Sequence, residues 1–407
     1  MVKLRSTWLV GLLVLVALAF FFSPAGLQAA GKKEIVIGTP LPVTGVASQE
    51  GNEERWAYEQ AVADINAKGG IFVKQYNKKL PVKLIVADIE SDPGKGAGAV
   101  ERLVKIDHVD LLLSSFAANF VMPTAIAAEK FKIYYHGNTC FPVVWRGAKL
   151  NWSTMFFFEL DKGAEVPYKV LDTIPAAQRP TKFALLMEDT ADGRAFGGGL
   201  AEAAKKYNWE IVLNEPLGVA AKDYSSQILK LKSKGVDGAI LFAAGGDCVT
   251  FVRQMKEAGL NLKYLHGYKG TWNTDFWNAL GKDANYILAD GFWSENWGFP
   301  GGKELGERYF KKFHKRSVSI GLYYASCQIL WEAIQKAGSV DSAKVKQAVM
   351  TNTFKGTTMG DVKYNPDGTA IFPLPGFQWW EGELKTVYPF ERSGGWKVKV
   401  APPWDKR

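Results

Sequence analysis

Short β-branched segments alternate with helical segments along most of this 407-residue chain, and this alternation limits the folds open to it. The first three predicted strands are residues 34–38, 82–87 and 110–113. Helices are predicted between them, over residues 51–68 and 93–105. Strands that alternate with helices pair in parallel, because each helix returns the chain to the same end of the sheet. The sequence therefore predicts an α/β fold with parallel sheets covered by helices on both faces.

The alternation is interrupted at residues 141–158 and near residues 289–296, where no regular period is evident. Between these breaks it resumes, with strands predicted at residues 183–187, 238–243 and 264–266. A chain of this length is too long for one ordinary core and divides into two. We therefore predict two doubly wound parallel-sheet lobes joined by a hinge of several crossings. In such sheets a ligand lies beyond the carboxyl ends of the strands, which here means the cleft between the lobes.

Residues 1–30 have the composition of a secretory signal peptide. Two basic residues precede an apolar run from Trp8 to Phe22, and small residues follow up to Ala30. The alternative is a transmembrane anchor, but the run is shorter than the ~20 apolar residues that a spanning helix needs. The first cysteine is Cys140, so we expect no lipid-attachment cysteine at the cleavage point. These observations predict a mature protein that is free and soluble outside the cytoplasm.

The composition argues against several functional classes. The formal net charge of +9 is spread over separate polar segments, whereas a nucleic-acid interface needs one basic face with aromatic side chains. Cys140, Cys248 and Cys327 have no metal-ligand spacing, and we expect them to be buried and reduced. The sequence contains no nucleophile elbow, zinc-protease motif or phosphate loop. We therefore expect no nucleic acid, no metal, no cofactor and no enzymatic activity.

One glycine-rich segment resembles a dinucleotide-binding loop. Residues 94–99 fit the GxGxxA pattern, follow a predicted strand and open a predicted helix. Asp88, Glu90 and Asp92 lie in the same turn, however, and their carboxylates would repel a pyrophosphate. We therefore do not predict a dinucleotide site here.

Two polar turns follow neighbouring strands of the first predicted sheet. The segment Ser114–Asn119 joins the strand at Leu111 to a helix that starts near Phe120. Exposed N–H groups at a helix N-terminus form a binding site for a carboxylate, although an ordinary helix cap gives the same pattern. Residues 137–139 form a second polar turn on the same sheet edge. Two such turns side by side favour a ligand site.

Longer motifs resemble the branched-chain amino-acid-binding proteins, which are the periplasmic receptors of ABC importers. Residues 61–71, with the sequence AVADINAKGGI, are similar to the first-helix signature of that family. Weaker similarities follow at residues 41–51, 88–93, 254–260 and 354–368. The resemblance covers nearly the whole chain beyond the predicted signal peptide. It implies a type I periplasmic-binding fold that closes about a hinge on a small organic solute.

The resemblance, together with the two breaks in the alternation, provides the expected domain boundaries. Lobe 1 is expected to comprise residues 31–150 and 293–351, and lobe 2 residues 151–292 and 352–400. Residues 401–407 are expected to form a C-terminal tail. The ligand site is then expected to draw residues from both lobes.

The resemblance also implies the positions of the ligand-binding residues. The ligand carboxylate is expected at Ala118, Asn119 and Thr139 of lobe 1, although the family often has serine or threonine at the first of these. An aromatic wall in lobe 2 falls near Phe196, after an insertion that carries Arg194. The complete predicted set is Glu50, Phe116, Ala117, Ala118, Asn119, Thr139, Arg194, Phe196, Ala244, Tyr268 and Lys269.

The sequence departs from the family pattern at Lys269. Amino-acid-binding members place an acid there to pair with the ligand ammonium, which a lysine would repel. Glu50 or Asp247 could replace that acid, and an apolar amino acid then remains a candidate ligand. Otherwise the ligand lacks an α-ammonium group, and a carboxylate, an amide or an aromatic acid is expected.

Taken together, these features predict an extracytoplasmic solute-binding protein of an ABC importer. The expected partners are a small-molecule solute and the membrane subunits of an ABC permease, and the expected oligomeric state is a monomer. The alternative is a sensory protein with the same fold, which passes its ligand-bound state to a membrane receptor. A secreted hydrolase is a third alternative, but it needs a nucleophile and a base that four scattered histidines do not supply.

Overall fold

The computed structural model describes residues 31–407, so the predicted signal peptide at residues 1–30 lies outside the described residues. The strands are β1 (Ile35–Leu41), β2 (Ile71–Val73), β3 (Lys78–Leu80), β4 (Val82–Asp88), β5 (Leu111–Leu113), β6 (Tyr135–Asn138), β7 (Ser153–Phe156), β8 (Phe183–Glu188), β9 (Ile211–Leu217), β10 (Gly238–Ala243), β11 (Tyr264–Lys269), β12 (Leu288–Asp290), β13 (Thr353–Thr357), β14 (Gly360–Lys363), β15 (Thr369–Ala370), β16 (Gly376–Trp380) and β17 (Glu383–Tyr388). The α-helices are α1 (Ser48–Ala67), α2 (Pro93–Lys105), α3 (Ala118–Phe131), α4 (Pro142–Gly147), α5 (Leu160–Asp172), α6 (Ala191–Lys206), α7 (Ser225–Ser233), α8 (Gly245–Glu257), α9 (Thr274–Leu280), α10 (Gly302–Phe313), α11 (Ile320–Ala337) and α12 (Ser342–Thr351).

The first sheet has six strands in the order β15-β7-β6-β5-β1-β4, and each of its pairs is parallel. Its strand β5 consists of three leucines that are completely buried, as expected for a strand covered by helices on both faces. Strand β1 lies between β4 on one side and β5 on the other, so the order of the strands along the chain reverses at β1. A crevice therefore opens at the carboxyl ends of these strands.

The second sheet has seven strands in the order β17-β16-β12-β11-β10-β8-β9. Strands β12, β11, β10, β8 and β9 pair in parallel. Strands β16 and β17 add to the β12 edge in antiparallel pairing. Strands β8 and β10 are buried along their whole length, because helices cover both faces of the sheet centre. The predicted architecture of two doubly wound α/β lobes is confirmed.

The chain passes between the two sheets three times: after β7, after β12, and between β15 and β16. Two of the predicted lobe boundaries differ from this sheet membership. Strand β7 (Ser153–Phe156) and strand β15 (Thr369–Ala370) both pair in the first sheet, although the expected boundaries put each of them in lobe 2. Both strands are short and are held by pairing with distant residues, so their sequences show no alternation that would place them.

The interior of the protein accommodates the three cysteines as expected. Cys140, Cys248 and Cys327 are buried and unpaired.

The C-terminal segment, predicted as a tail, packs on lobe 2, where the Trp404 Nε1–H donates to the Leu260 carbonyl oxygen at 2.8 Å. Among residues 31–407, no helix has both the length and the apolar character needed to cross a bilayer.

Gly51 provides a test of the packing between helix α1 and the loop after β1. A Cβ atom on Gly51 would lie 2.2 Å from the Pro42 carbonyl oxygen, whereas a Cβ on Gly98 of helix α2 meets no atom within 4 Å. We expect Gly51→Ala to lower the free energy of unfolding by about 1–3 kcal/mol, because the loop must move away. Gly98→Ala should raise it by about 0.5–1 kcal/mol, because alanine favours the helix. Chemical denaturation measures both values, and a stabilising Gly51→Ala would contradict the packing described.

Candidate ligand-binding site

A cavity of about 600 Å³ lies between the two lobes. Its walls come from the segments that follow the carboxyl ends of strands in both sheets, as expected for open parallel sheets. The lobe 1 wall includes the N-terminus of helix α3 and the turn after β6. The lobe 2 wall includes the starts of helices α6 and α8 and the ends of β11 and β12.

The structure brings ten of the eleven predicted site residues to this cavity. They are Glu50, Phe116, Ala117, Ala118, Asn119, Thr139, Phe196, Ala244, Tyr268 and Lys269. Arg194 does not line the cavity, and its side chain pairs with the exposed Asp189 on the outer surface. The reason is helical periodicity, because Asp192 and Phe196 lie four residues apart on the inner face of α6. Arg194, two residues from each, points to the opposite face.

Aromatic side chains form most of the apolar wall. They are Phe116, Phe141, Phe157, Phe158, Phe196, Phe242, Tyr268, Trp272 and Phe292. Phe141 from the loop after β6 and Phe196 from helix α6 stack across the cleft, with centroids 6.2 Å apart and an interplanar angle of 23°. The walls therefore suit a solute with an apolar or aromatic body.

The lobe 1 wall presents backbone donors. The N–H groups of Ala118 and Asn119 open helix α3 and find no acceptor among residues 31–407. The N–H of Ala117 donates to Thr139 Oγ1 at 3.1 Å, and this oxygen also lies 3.0 Å from the Ser115 carbonyl oxygen. The Thr139 hydroxyl therefore ties the two turns together, while the helix N–H groups remain free to bind an anionic group.

Three non-glycine residues at the cavity have left-handed backbone conformations. The φ angles are +63° at Ala117, +52° at Thr139 and +65° at Lys269. Such conformations are costly for residues with a Cβ atom and persist only where the surrounding structure holds them. Each of the three follows or ends a strand of a parallel sheet, so both lobes present a strained strand end to the cleft.

Lys269 does not present a free positive charge to the cavity. Its Nζ lies 2.5 Å from Glu188 Oε1 and 5.7 Å from the centroid of the Phe242 ring. The Glu188 side chain is only 2% exposed, so it requires a cation nearby. Lys269 therefore forms an ion pair within the protein.

Asp290 is a cavity residue that sequence reasoning missed. It ends the three-residue strand β12, is 5% exposed, and accepts the Lys269 N–H through Oδ1 at 3.1 Å. Burial raises its pKa well above the ordinary value, and the hydrogen bond from Lys269 opposes this only in part. The only sequence signal is an acid after a short apolar segment, at the start of the second break in the alternation.

A buried polar chain lies behind the Thr139 turn. Thr139 Oγ1 lies 3.0 Å from Asn138 Oδ1, and the amide of Asn138 donates to the Tyr58 hydroxyl at 2.9 Å. The Tyr58 hydroxyl in turn donates to Glu54 Oε1 at 2.5 Å. Burial without a cation nearby raises the pKa of Glu54 to about 8. Helix α1 thereby supports the cavity edge through a protonated carboxyl group.

The motif Tyr-x-His-Gly occurs at the starts of strands β6 and β11, with its first tyrosine directly before β6 and at the first position of β11, and its contacts are the same in both places. The Tyr134 hydroxyl lies 2.9 Å from His136 Nδ1, and the Tyr264 hydroxyl lies 3.0 Å from His266 Nδ1. Both histidines are fully buried, and burial lowers their pKa to about 3. Neither lines the cavity. They are neutral spacers at equivalent places in the two sheets.

Within residues 31–407, no cluster of three or more histidine, cysteine or acidic side chains has the arrangement of a metal site.

Comparison with known protein families identifies the family of this chain. A family profile described as "Periplasmic binding protein" matches residues 34–383. The chain belongs to this family. Members of this family bind small-molecule solutes outside the cytoplasm.

Relatives of this periplasmic binding protein agree with the resemblance found in its sequence. It is 26% identical over 397 residues to the Leu/Ile/Val-binding protein homolog 7 of Brucella abortus (strain 2308), with 92% of this chain and 96% of the relative covered. The branched-chain amino acid transporter substrate-binding protein LivJ of Streptococcus pneumoniae, solved with isoleucine, has a TM-score of 0.76 at 18% identity, covering 88% of this chain and all of that one. A solute-binding protein of an ABC transporter from Rhodopseudomonas palustris BisB5, solved with 3,4-dihydroxybenzoic acid, has a TM-score of 0.74 at 18% identity, covering 92% and 100%. These structures confirm the type I periplasmic-binding fold.

The buried carboxyl group of Glu54 makes a prediction about pH. Above the ordinary pKa of 4.5 the unfolded chain loses this proton, whereas the folded protein keeps it up to about pH 8. The free energy of unfolding should therefore fall as the pH rises from 4.5 to 8, by at most about 1.4 kcal/mol per pH unit from this group. Glu54→Gln removes this dependence, so the variant should gain more over the wild type at pH 7.5 than at pH 5.

Urea denaturation at the two pH values measures the Glu54 effect. Glu59→Gln is the matched control, because Glu59 lies on the same helix but is exposed beside Arg55. The control should shift stability by similar small amounts at both pH values. If Glu54→Gln and the wild type differ equally at pH 5 and pH 7.5, Glu54 is not protonated in the folded protein.

Proposed function

We propose that this protein captures a small organic solute in the cleft between its lobes and delivers it to the permease of an ABC importer. The proposal rests on the cavity, which is lined by free helix N–H groups of lobe 1 and by aromatic side chains from both lobes. Candidate solutes are a branched-chain or other apolar amino acid, an amide or a carboxylate. A relative named as a Leu/Ile/Val-binding protein homolog and structural neighbours with bound isoleucine or 3,4-dihydroxybenzoic acid support this range.

Hinge closure is the proposed mechanism. We assign the moving bodies by sheet, so that β7 and β15 move with lobe 1 and the three crossings between the sheets form the hinge. The solute first binds the lobe 1 wall, and lobe 2 then closes over it and excludes water. The stack of Phe141 on Phe196 gives the two lobes an apolar contact at the cleft. The closed form is the one proposed to dock on the permease.

The proposal places the working protein outside the cytoplasm as a monomer. Cleavage after the predicted signal peptide at residues 1–30 would release it without a lipid anchor. Mass spectrometry of the protein recovered from the periplasm gives the N-terminal residue, and gel filtration with light scattering gives the oligomeric state. Retention of residues 1–30 in the recovered protein would refute the cleavage proposal.

Thermal-shift measurements on the purified protein test solute binding directly. The panel contains apolar amino acids, amides, short carboxylates and aromatic acids. A solute at about 100 times its dissociation constant stabilises the folded protein by ~2.7 kcal/mol, which gives a clear rise in Tm. Small-angle X-ray scattering should then show a decrease in the radius of gyration with the same solute. A panel without any shift would count against solute capture.

Thr139 is predicted to matter through its hydroxyl group. Thr139→Val leaves the Ala117 N–H without its acceptor and separates the two turns of lobe 1. We expect solute affinity to weaken by about 1–3 kcal/mol, the cost of an unpaired buried donor. Thr139→Ser keeps the hydroxyl and should retain most of the affinity. Isothermal titration calorimetry measures both variants, and equal affinities would remove this contact from the binding site.

A further inference from the structure

Each of the three crossings between the sheets carries a phenylalanine, and these side chains meet. The crossing after β7 contributes Phe157 and Phe158, the crossing after β12 contributes Phe292, and the crossing between β15 and β16 contributes Phe372. These four residues form the hinge cluster. The centroid of the Phe157 ring lies 5.1 Å from that of Phe292 and 5.9 Å from that of Phe372. The connection between the lobes is therefore packed around one group of aromatic rings.

The backbone and the rings of the hinge cluster make different kinds of contact. The Phe157 N–H donates to the Ala370 carbonyl oxygen at 3.1 Å, and the Phe292 N–H donates to the Val318 carbonyl oxygen at 2.7 Å. The rings meet edge to face, with interplanar angles of 67° between Phe157 and Phe292 and 82° between Phe157 and Phe372. Apolar contacts of this kind are not directional, so the rings can shift against one another without leaving a polar group unpaired.

Three rings of the hinge cluster also belong to the cavity wall. Phe157, Phe158 and Phe292 line the cavity, whereas Phe372 packs against Phe157 and Phe158 from outside it. Each of the three lining residues is at most 5% exposed, because the rings shield one another. Part of the apolar wall of the cavity is therefore made by the crossings themselves.

The array of rings continues from the hinge cluster into both lobes. The Phe141 ring of lobe 1 lies 5.6 Å from the Phe158 ring and stacks on Phe196 of lobe 2. On the other side of the cluster, Phe292 packs edge to face against Trp272 of lobe 2, at 5.1 Å between centroids. A solute whose apolar body reaches these rings therefore touches both lobes and the crossings at once.

We propose that the hinge cluster selects the solute by the size of its apolar body, and that Phe292 is the main specificity-determining residue. This inference rests on the proposed function and adds the side chains that determine which solute is captured. A body that is too small leaves a void against the rings, which close-packed interiors penalise. A body that is too large pushes the rings apart, and the crossings then cannot reach their closed position.

Phe292 has this role because it contacts the hinge cluster through Phe157 and lobe 2 through Trp272, and lines the cavity between them. The polar end of the solute takes no part in this selection. The inference therefore applies equally to an amino acid, an amide and a carboxylate.

Phe292→Ala tests the inference with two series of solutes whose apolar bodies grow stepwise. Alanine, valine, leucine, phenylalanine and tryptophan form one series, and propionate, isovalerate, 3-phenylpropionate and indole-3-propionate form the other. The affinities are measured by titration calorimetry. We expect the ratio of the affinities for larger and smaller members to rise at least about tenfold, because the lost ring leaves room for a larger body. Phe292→Leu, which keeps more of the packing, should shift the ratio in the same direction by a smaller factor.

Phe372→Ala is the matched control, because it removes the same ring from the hinge cluster at a position outside the cavity. Both alanine variants should lower the Tm, since each opens a hole in a packed cluster. Phe372→Ala should keep the wild-type order of affinities. An unchanged order in both Phe292 variants, or the same change in Phe372→Ala, would overturn the inference and leave solute capture intact. A wild-type protein that binds no member of either series and no corresponding amide would count against both.

Discussion

Parallel strand pairing is the constraint on which the rest of this structure depends. Because neighbouring strands run in the same direction, their carboxyl ends meet at one edge of each sheet. Three crossings then bring the two edges to face each other, and every wall of the cavity comes from a segment that follows such an edge. The cleft therefore follows from the direction of the strands, and the loop sequences determine only what it holds.

The loops place charged side chains in a mostly apolar cavity. Aromatic rings make most of the cavity wall apolar, and apolar surroundings strengthen the electrostatic interactions within it. The protein neutralises Glu188 with Lys269 but leaves Asp290 with a hydrogen bond from a backbone N–H alone. The strained conformations at Ala117, Thr139 and Lys269 show that the surrounding sheets hold these groups in fixed positions.

Much of this arrangement could be predicted from the sequence, and the failures have physical causes. Helix Pro93–Lys105 and strand Gly238–Ala243 have the predicted bounds, because their apolar periods are clear and turn residues flank them. Strand β15 has two residues and exists only by pairing with β7, so no local pattern marks it. The sequence predicts Arg194 in an insertion before the aromatic wall, but helix α6 already begins at Ala191, because the Thr190 side chain caps it by accepting the Gly193 N–H. Within this helix the side chain of Arg194 points away from the cleft.

The same Tyr-x-His-Gly motif supports both walls of the cleft. Each wall presents the end of an equivalent strand, supported by an equivalent tyrosine–histidine contact. The residues that follow the motif are Asn138 and Thr139 on one side and Tyr268 and Lys269 on the other. The supporting contacts are alike on the two sides, but the residues after the motif differ, so equivalent positions of the two walls offer a solute different chemistry.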